Sequence, residues 1–108
     1  MANTFTSYAN KDVGASAATV VTVGAGTQTT VVGMSVANTS ASPITASAYF
    51  TRSAVDYYLI KSATVPVGSS LVLVGGDQKV VLIPSDALKV VTSTAASADV
   101  VTSVLNIT

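Results

Sequence analysis

The sequence predicts an all-β domain, an immunoglobulin-like or jelly-roll β-sandwich of about eight short antiparallel strands. Val and Ala dominate its apolar residues, and Ser and Thr fill most of the rest. The β-branched Val and Thr among them, stiff at χ1, favour pleated, half-buried surfaces over helix. From Ala18 onward, short β-prone runs recur at roughly the 8–12-residue spacing of sandwiches and barrels. No Asp or Ser opens an apolar stripe of helical period, so no helix start is legible. A chain of 108 residues is one domain by size. It reads as an extended N-terminal arm over residues 1–16 and a single β-sandwich domain over 17–108.

The arm is polar and small, with Gly14 and scattered Asn, Ser and Thr, and is expected to be ordered against a partner. The first strand is "ATVVTV" (18–23), ended by Gly24 and Gly26. "TTVVGMSVAN" (29–38) follows, with Val32, Met34 and Val36 alternating with smaller residues, and "NTSASP" (38–43) turns the chain. In "ITASAYFTR" (44–52), Ile44, Ala46, Ala48 and Phe50 share one face, and Thr45, Ser47, Tyr49 and Thr51 the other. "VDYYLIKSATV" (55–65) comes next, broken by "PVGS" (66–69). "SLVLV" (70–74) and "KVVLI" (79–83) flank "GGDQ", which reads as a hairpin turn: Gly75 and Gly76 supply positive φ, and Asp77 bonds its own backbone. "PSD" (84–86) turns the chain again, because Pro84 cannot donate to a ladder. "ALKVVTST" (87–94) and "DVVTSVLNI" (99–107) close the chain.

Two of these runs depart from alternation. "SLVLV" and "KVVLI" are aliphatic on both faces, whereas the outer face of an isolated sandwich strand is normally polar. The second face needs cover from within the fold or from another copy of the chain. Leu71, Val72, Leu73, Val74, Val80, Val81, Leu82 and Ile83 are therefore the candidate oligomer or partner contacts.

Charge is sparse and balanced, five basic against five acidic residues, with no Glu. There is no clustered Lys and Arg to displace counterions from nucleic acid, and no polybasic membrane signal. With so little charge, little long-range repulsion keeps copies apart. The absence of Cys excludes disulfides and thiolate metal sites. "MANTFTSYANKDVGAS" lacks the basic and apolar regions of a signal peptide, and no apolar run approaches the roughly 20 residues of a membrane helix.

Catalysis is not expected. Without His or Cys the chain lacks the commonest base, the commonest metal ligand and the best thiol nucleophile. The aspartates at 12, 56, 77, 86 and 99 stand beside turns or strand starts, where Asp caps the backbone. None lies in an alternating acidic Ca²⁺ loop, so no metal or other cofactor is expected. "VGAGTQTT" (23–30) lacks the third Gly, the Lys and the helix of a phosphate loop. Tyr49, Tyr57 and Tyr58 are candidate surface-binding aromatics for a sugar or receptor, although period two would place one of the adjacent pair inside. "NTS" (38–40) and "NIT" (106–108) match the glycosylation sequon, which has no use without secretion.

Motifs spread along almost the whole chain resemble a family of small virion structural proteins of tailed bacteriophages. They are Val13–Ser16, the strand end Val36–Asn38, "YLIK" at Tyr58–Lys61, "VPVGSSL" at Val65–Leu71, "GGDQKVVL" at Gly75–Leu82 and "PSDALKV" at Pro84–Val90. Ser85 stands where the resemblance leads one to expect Gly. The resemblance implies a β-sandwich particle component of the neck, tail or head surface. Its implied partners are copies of itself and other virion proteins, and its location is the virion, assembled in the host cytoplasm. The alternative is a carbohydrate- or receptor-binding module of such a particle.

Overall fold

The computed structural model describes residues 3–74 and 79–108. Among them every regular element is a strand: β1 (Asn3–Val13), β2 (Ala18–Thr22), β3 (Gln28–Asn38), β4 (Ile44–Arg52), β5 (Val55–Val65), β6 (Ser70–Val74), β7 (Val80–Leu82), β8 (Ala87–Thr92) and β9 (Ala98–Ile107). They form two sheets. One runs β1-β9-β3-β6, with β7 also on β3, and the other runs β2-β8-β4-β5. Every pairing is antiparallel. With β6 and β7 counted as one interrupted strand, the chain alternates between sheets except at the β4–β5 hairpin, which is the strand order of a jelly roll. Of the two sandwich types open from sequence, this is the one adopted.

Residues 1–16, expected as an extended arm, contribute the edge strand β1, in register with β9 from Asn3↔Ile107 to Asn10↔Val100. The expected hairpin at "GGDQ" is not how β6 and β7 are arranged. Both lie antiparallel to β3 and run in the same direction along it, β6 against Met34–Ala37 and β7 against Thr29–Val31. Together they act as one interrupted strand. Residues 75–78, with Asp77, lie outside the described residues.

The core is built from alternate residues, with one exception. A register shift between Val31 and Gly33 turns Val31 inward instead of Val32, which the sequence places on the face of Met34 and Val36. Val31, Met34 and Val36 of β3 and Val100 and Val104 of β9 face Ile44, Ala46 and Ala48 of β4 and Leu88 and Val90 of β8. Each of these larger side chains stabilises the fold by about 1.5–3 kcal/mol through its burial. Asn38 is buried among them without loss, since its amide donates to the Ser42 and Val65 carbonyls at 2.9 and 3.0 Å and accepts from the Ser40 N–H and hydroxyl. That occupied amide makes "NTS" a turn lock in the folded chain. Gly14 is required by close approach: a Cβ there would stand 2.8 Å from the Ala96 backbone nitrogen and 3.0 Å from the Ala95 Cα.

Candidate functional site

The apolar runs at 70–74 and 79–83 divide cleanly between the two sides of their sheet. Val74 and Leu82 are fully buried, and Leu71 and Val80 pack half-buried against the core, so these four serve the fold. Val72 (66% exposed), Val81 (56%) and Ile83 point out. Leu73 lies outside the residues whose side chains are described. The candidate contacts thus reduce to Val72, Val81 and Ile83. The physical reason is that a strand on a sandwich has one face for the core whatever its composition, and a register shift between Met34 and Ser35 brings both Leu71 and Val74 onto it.

The register shows what joins the outward residues. One row crosses the sheet through Phe5, Leu105, Thr30 and Val81. A second crosses it through Ala9, Val101, Ser35 and Val72. Between them runs a trough of small residues, Ser7, Ser103 and Gly33. Phe5, on the edge strand, is 77% exposed, and Val101 is also exposed. The strands of this sheet carry three charged residues, Lys11, Asp12 and Asp99, all at one end. There Lys11 Nζ lies 3.5 Å from the Asp99 carboxylate, and the Asp12 N–H donates to it at 3.2 Å. What remains is a broad face of apolar and small side chains, with Lys79 exposed just before β7, and exposed apolar residues grouped in this way mark interaction surfaces. Phe5, Val101 and Leu105 had no signal as contacts in the sequence, because their alignment with Val72 and Val81 depends on non-local pairing.

The opposite sheet carries the three candidate tyrosines. Tyr49 and Tyr58 are cross-strand partners on its outer face, with ring centroids 4.9 Å apart, and Lys61 Nζ sits 5.0 Å from the Tyr58 ring. Burial, together with the negative charge of Asp56, raises the Tyr49 hydroxyl above its ordinary pKa. Tyr57 lies on the other side of the sheet, stacked on the core-facing Phe50 at 5.3 Å. The three therefore do not form one surface.

At the end of that sheet, Arg52 Nε and Nη2 grip the Asp86 carboxylate with bonds of 2.6–3.1 Å. The Ile83 N–H adds a third donor at 2.9 Å. The Arg52 hydrogen bond holds the Asp86 carboxyl below its usual range, reinforced by the Ile83 N–H and opposed by burial. Every oxygen of this carboxylate is engaged by groups that fix a turn, and the pair closes off the end of the sandwich. Its role is structural. Asp56 accepts from the Thr51 hydroxyl at 2.7 Å. Among the described residues, no group of three His, Cys, Asp or Glu side chains is placed to hold a metal ion.

No protein-family model and no curated protein matches this chain. Among solved structures it is similar to a chain from Bacillus endospore appendages, which form disulfide-linked pili, with a TM-score of 0.58 at 14% identity over 99% of this chain and 87% of that one. It is also similar to a chain of infectious bursal disease virus, Gx strain, with a TM-score of 0.54 at 13% identity over 96% of this chain. It spans 35% of that viral chain. A chain of the cyanophage Pam1 capsid asymmetric unit aligns with a TM-score of 0.39 at 21% identity, over 97% of this chain and 82% of that one. The first two likenesses show the shared two-sheet β fold. With no cysteine, this chain has no counterpart to the disulfides of the pilus.

Proposed function

We propose that this chain is a structural subunit of a virus particle, of the tailed-bacteriophage kind its motifs resemble, and that it works by packing against copies of itself and against other particle proteins. The observation that carries this reading is the group of exposed apolar side chains on the outer face of the β1-β9-β3-β6 sheet, Phe5, Val72, Val81 and Val101. A monomer gains nothing from such a face, whereas a subunit buries it. The fold supports the same reading, since jelly rolls recur in viral coats. So do the two neighbours with a TM-score above 0.5, which come from a pilus and a virus. The proposal assigns the chain no catalysis, cofactor, nucleic acid or membrane. It places the chain in the virion after assembly in the host cytoplasm, where a cysteine-free protein loses nothing to reduction.

Solution mass by light scattering coupled to size exclusion tests the reading. A six- or twelve-fold ring assigns the subunit to the neck or tail axis, and a trimer assigns it to the head surface. A monomer at every concentration removes self-association from the proposal. A carbohydrate- or receptor-binding role has one supporting observation, the Tyr49–Tyr58 pair beside Lys61. Loss of glycan binding in Tyr58→Ala at unchanged mass would favour that role.

A further inference from the structure

We propose that β1 is a pairing edge, and that it joins β1 of a second copy of this chain, antiparallel, about a two-fold axis at Ser7. The inference rests on the self-association reading above and adds an edge contact to the face contact named there. The sandwich has four edges, and three are blunted. β2 is five residues long, with a register shift against β8. β5 carries two register shifts, the charges of Asp56 and Lys61, and Ser62 at a φ of 55°. The fourth position is split between the short strands β6 and β7. Charges, bulges and short strands are the devices by which sheets prevent edge pairing.

β1 has none of them over residues 3–10. That stretch, "NTFTSYAN", holds no charge, Pro or Gly, and its ladder to β9 is unbroken. Its outer row of N–H and C=O groups is left open along the strand. Core burial does not explain the strand either. Asn3 to Ala9 are all exposed, and the side chains on the core side, Thr4, Thr6 and Tyr8, are polar.

The apolar rows determine the register. Both end on β1, at Phe5 and Ala9, on either side of Ser7. Residues directly opposite in an antiparallel pair point to the same face. A two-fold axis at Ser7 sets Phe5 against Ala9 of the second copy, a large ring beside a small methyl. The Phe5 row of each copy then continues into the Ala9 row of the other, and the outer face becomes continuous across the pair. Lys11 falls opposite Asn3 of the second copy, so no like charges meet.

Because the chain has no cysteine, single Cys variants report contacts without background. In the proposed pair, Ser7 faces its own copy with Cα atoms about 4.5–5.5 Å apart, within disulfide range. Mild oxidation of Ser7→Cys is expected to double the mass on a non-reducing gel. Mixed Phe5→Cys and Ala9→Cys chains are expected to form a heterodimer. Ser103→Cys, one strand inward on the same face, is expected to stay single. Light scattering on the unmodified chain separates the two readings. An oligomer whose Ser7→Cys and mixed variants do not cross-link overturns edge pairing and leaves self-association standing. Cross-linking of Ser103→Cys instead overturns edge pairing in favour of stacked sheet faces. A monomer throughout, with no cross-link, overturns both.

Discussion

Arg52 and Asp86 show how a pair of residues distant in sequence can close a fold. The Asp86 carboxyl is held below its ordinary value first by the Arg52 hydrogen bond and then by the Ile83 N–H, against the opposing effect of burial. A group whose folded pKa is depressed contributes stability that is complete above its unfolded pKa, about 4, and is lost as pH falls through the folded value. Thermal melts are therefore expected to decline below about pH 4, and Asp86→Asn is expected to flatten that decline. Asp86→Ala should cost about 3 kcal/mol in urea denaturation, the low end for a buried pair losing one partner, because Arg52 can still reach water. The turn role of Asp86 was legible from "PSD", but Arg52 lies 34 residues away and only the sheet brings it there. The same turn explains an anomaly of sequence. The Asp86 N–H donates to the Ile83 carbonyl at 3.1 Å, with Pro84 and Ser85 between, and Ser85 has a φ of 75°. Proline followed by positive φ is a type II turn, which prefers Gly at the third position. Ser85→Gly is expected to raise stability by about 0.5–1 kcal/mol in the same assay, the left-handed strain relieved exceeding the backbone entropy Gly loses.

At the scale of elements, strands with an alternating or aliphatic core face were legible, and strands defined by backbone pairing were not. β4 and β5 have the bounds read from sequence because their period and flanking turns are local. β1 escaped because its core-side positions, Thr4, Thr6 and Tyr8, lack the apolar period that marks a strand. The tight link Ser53–Ala54 carries no Asn-Gly signal, yet both residues have positive φ, 53° and 63°, as a two-residue hairpin with a primed turn requires. The β6–β7 pairing was misread for a related reason. Two glycines between aliphatic runs signal a reversal locally, whereas each run has its partner on β3. These differences have a dynamic consequence. In the single subunit β1 is held by its ladder to β9 and by little buried side chain beyond Val13, whereas β3 and β9 are paired on both sides. Native-state amide exchange is expected to show β1 opening well below the global unfolding free energy, with β3 and β9 exchanging at or near it. Equal protection of β1 and β3 in a monomeric sample would contradict that ranking.

At the scale of the molecule, the two sides of the sandwich have been given different work. The β2-β8-β4-β5 sheet presents Thr, Ser, Tyr and Lys outward, as an isolated domain would. The β1-β9-β3-β6 sheet presents Phe5, Val101, Val72 and Val81, and the charged residues within its strands stand at the Lys11–Asp99 end. These side chains stay about half exposed or more in the folded chain, so they contribute less to the stability of one subunit than the buried core does. Folding and assembly are therefore separable by mutation. Val72→Lys with Val81→Lys places one charge in each apolar row and leaves Val74, Leu82 and the rest of the core untouched. The double variant is expected to melt within about 0.5 kcal/mol of the unmodified chain, as surface substitutions do. Its oligomer, if the face is the contact, should dissociate, because an unpaired charge buried in an interface costs several kcal/mol. Light scattering and thermal melts on the same sample read the two effects apart. Loss of mass at constant melting temperature assigns the face to assembly. A full-sized oligomer in the variant places the contact elsewhere, and a collapse of both measurements would mean that the rows support the fold.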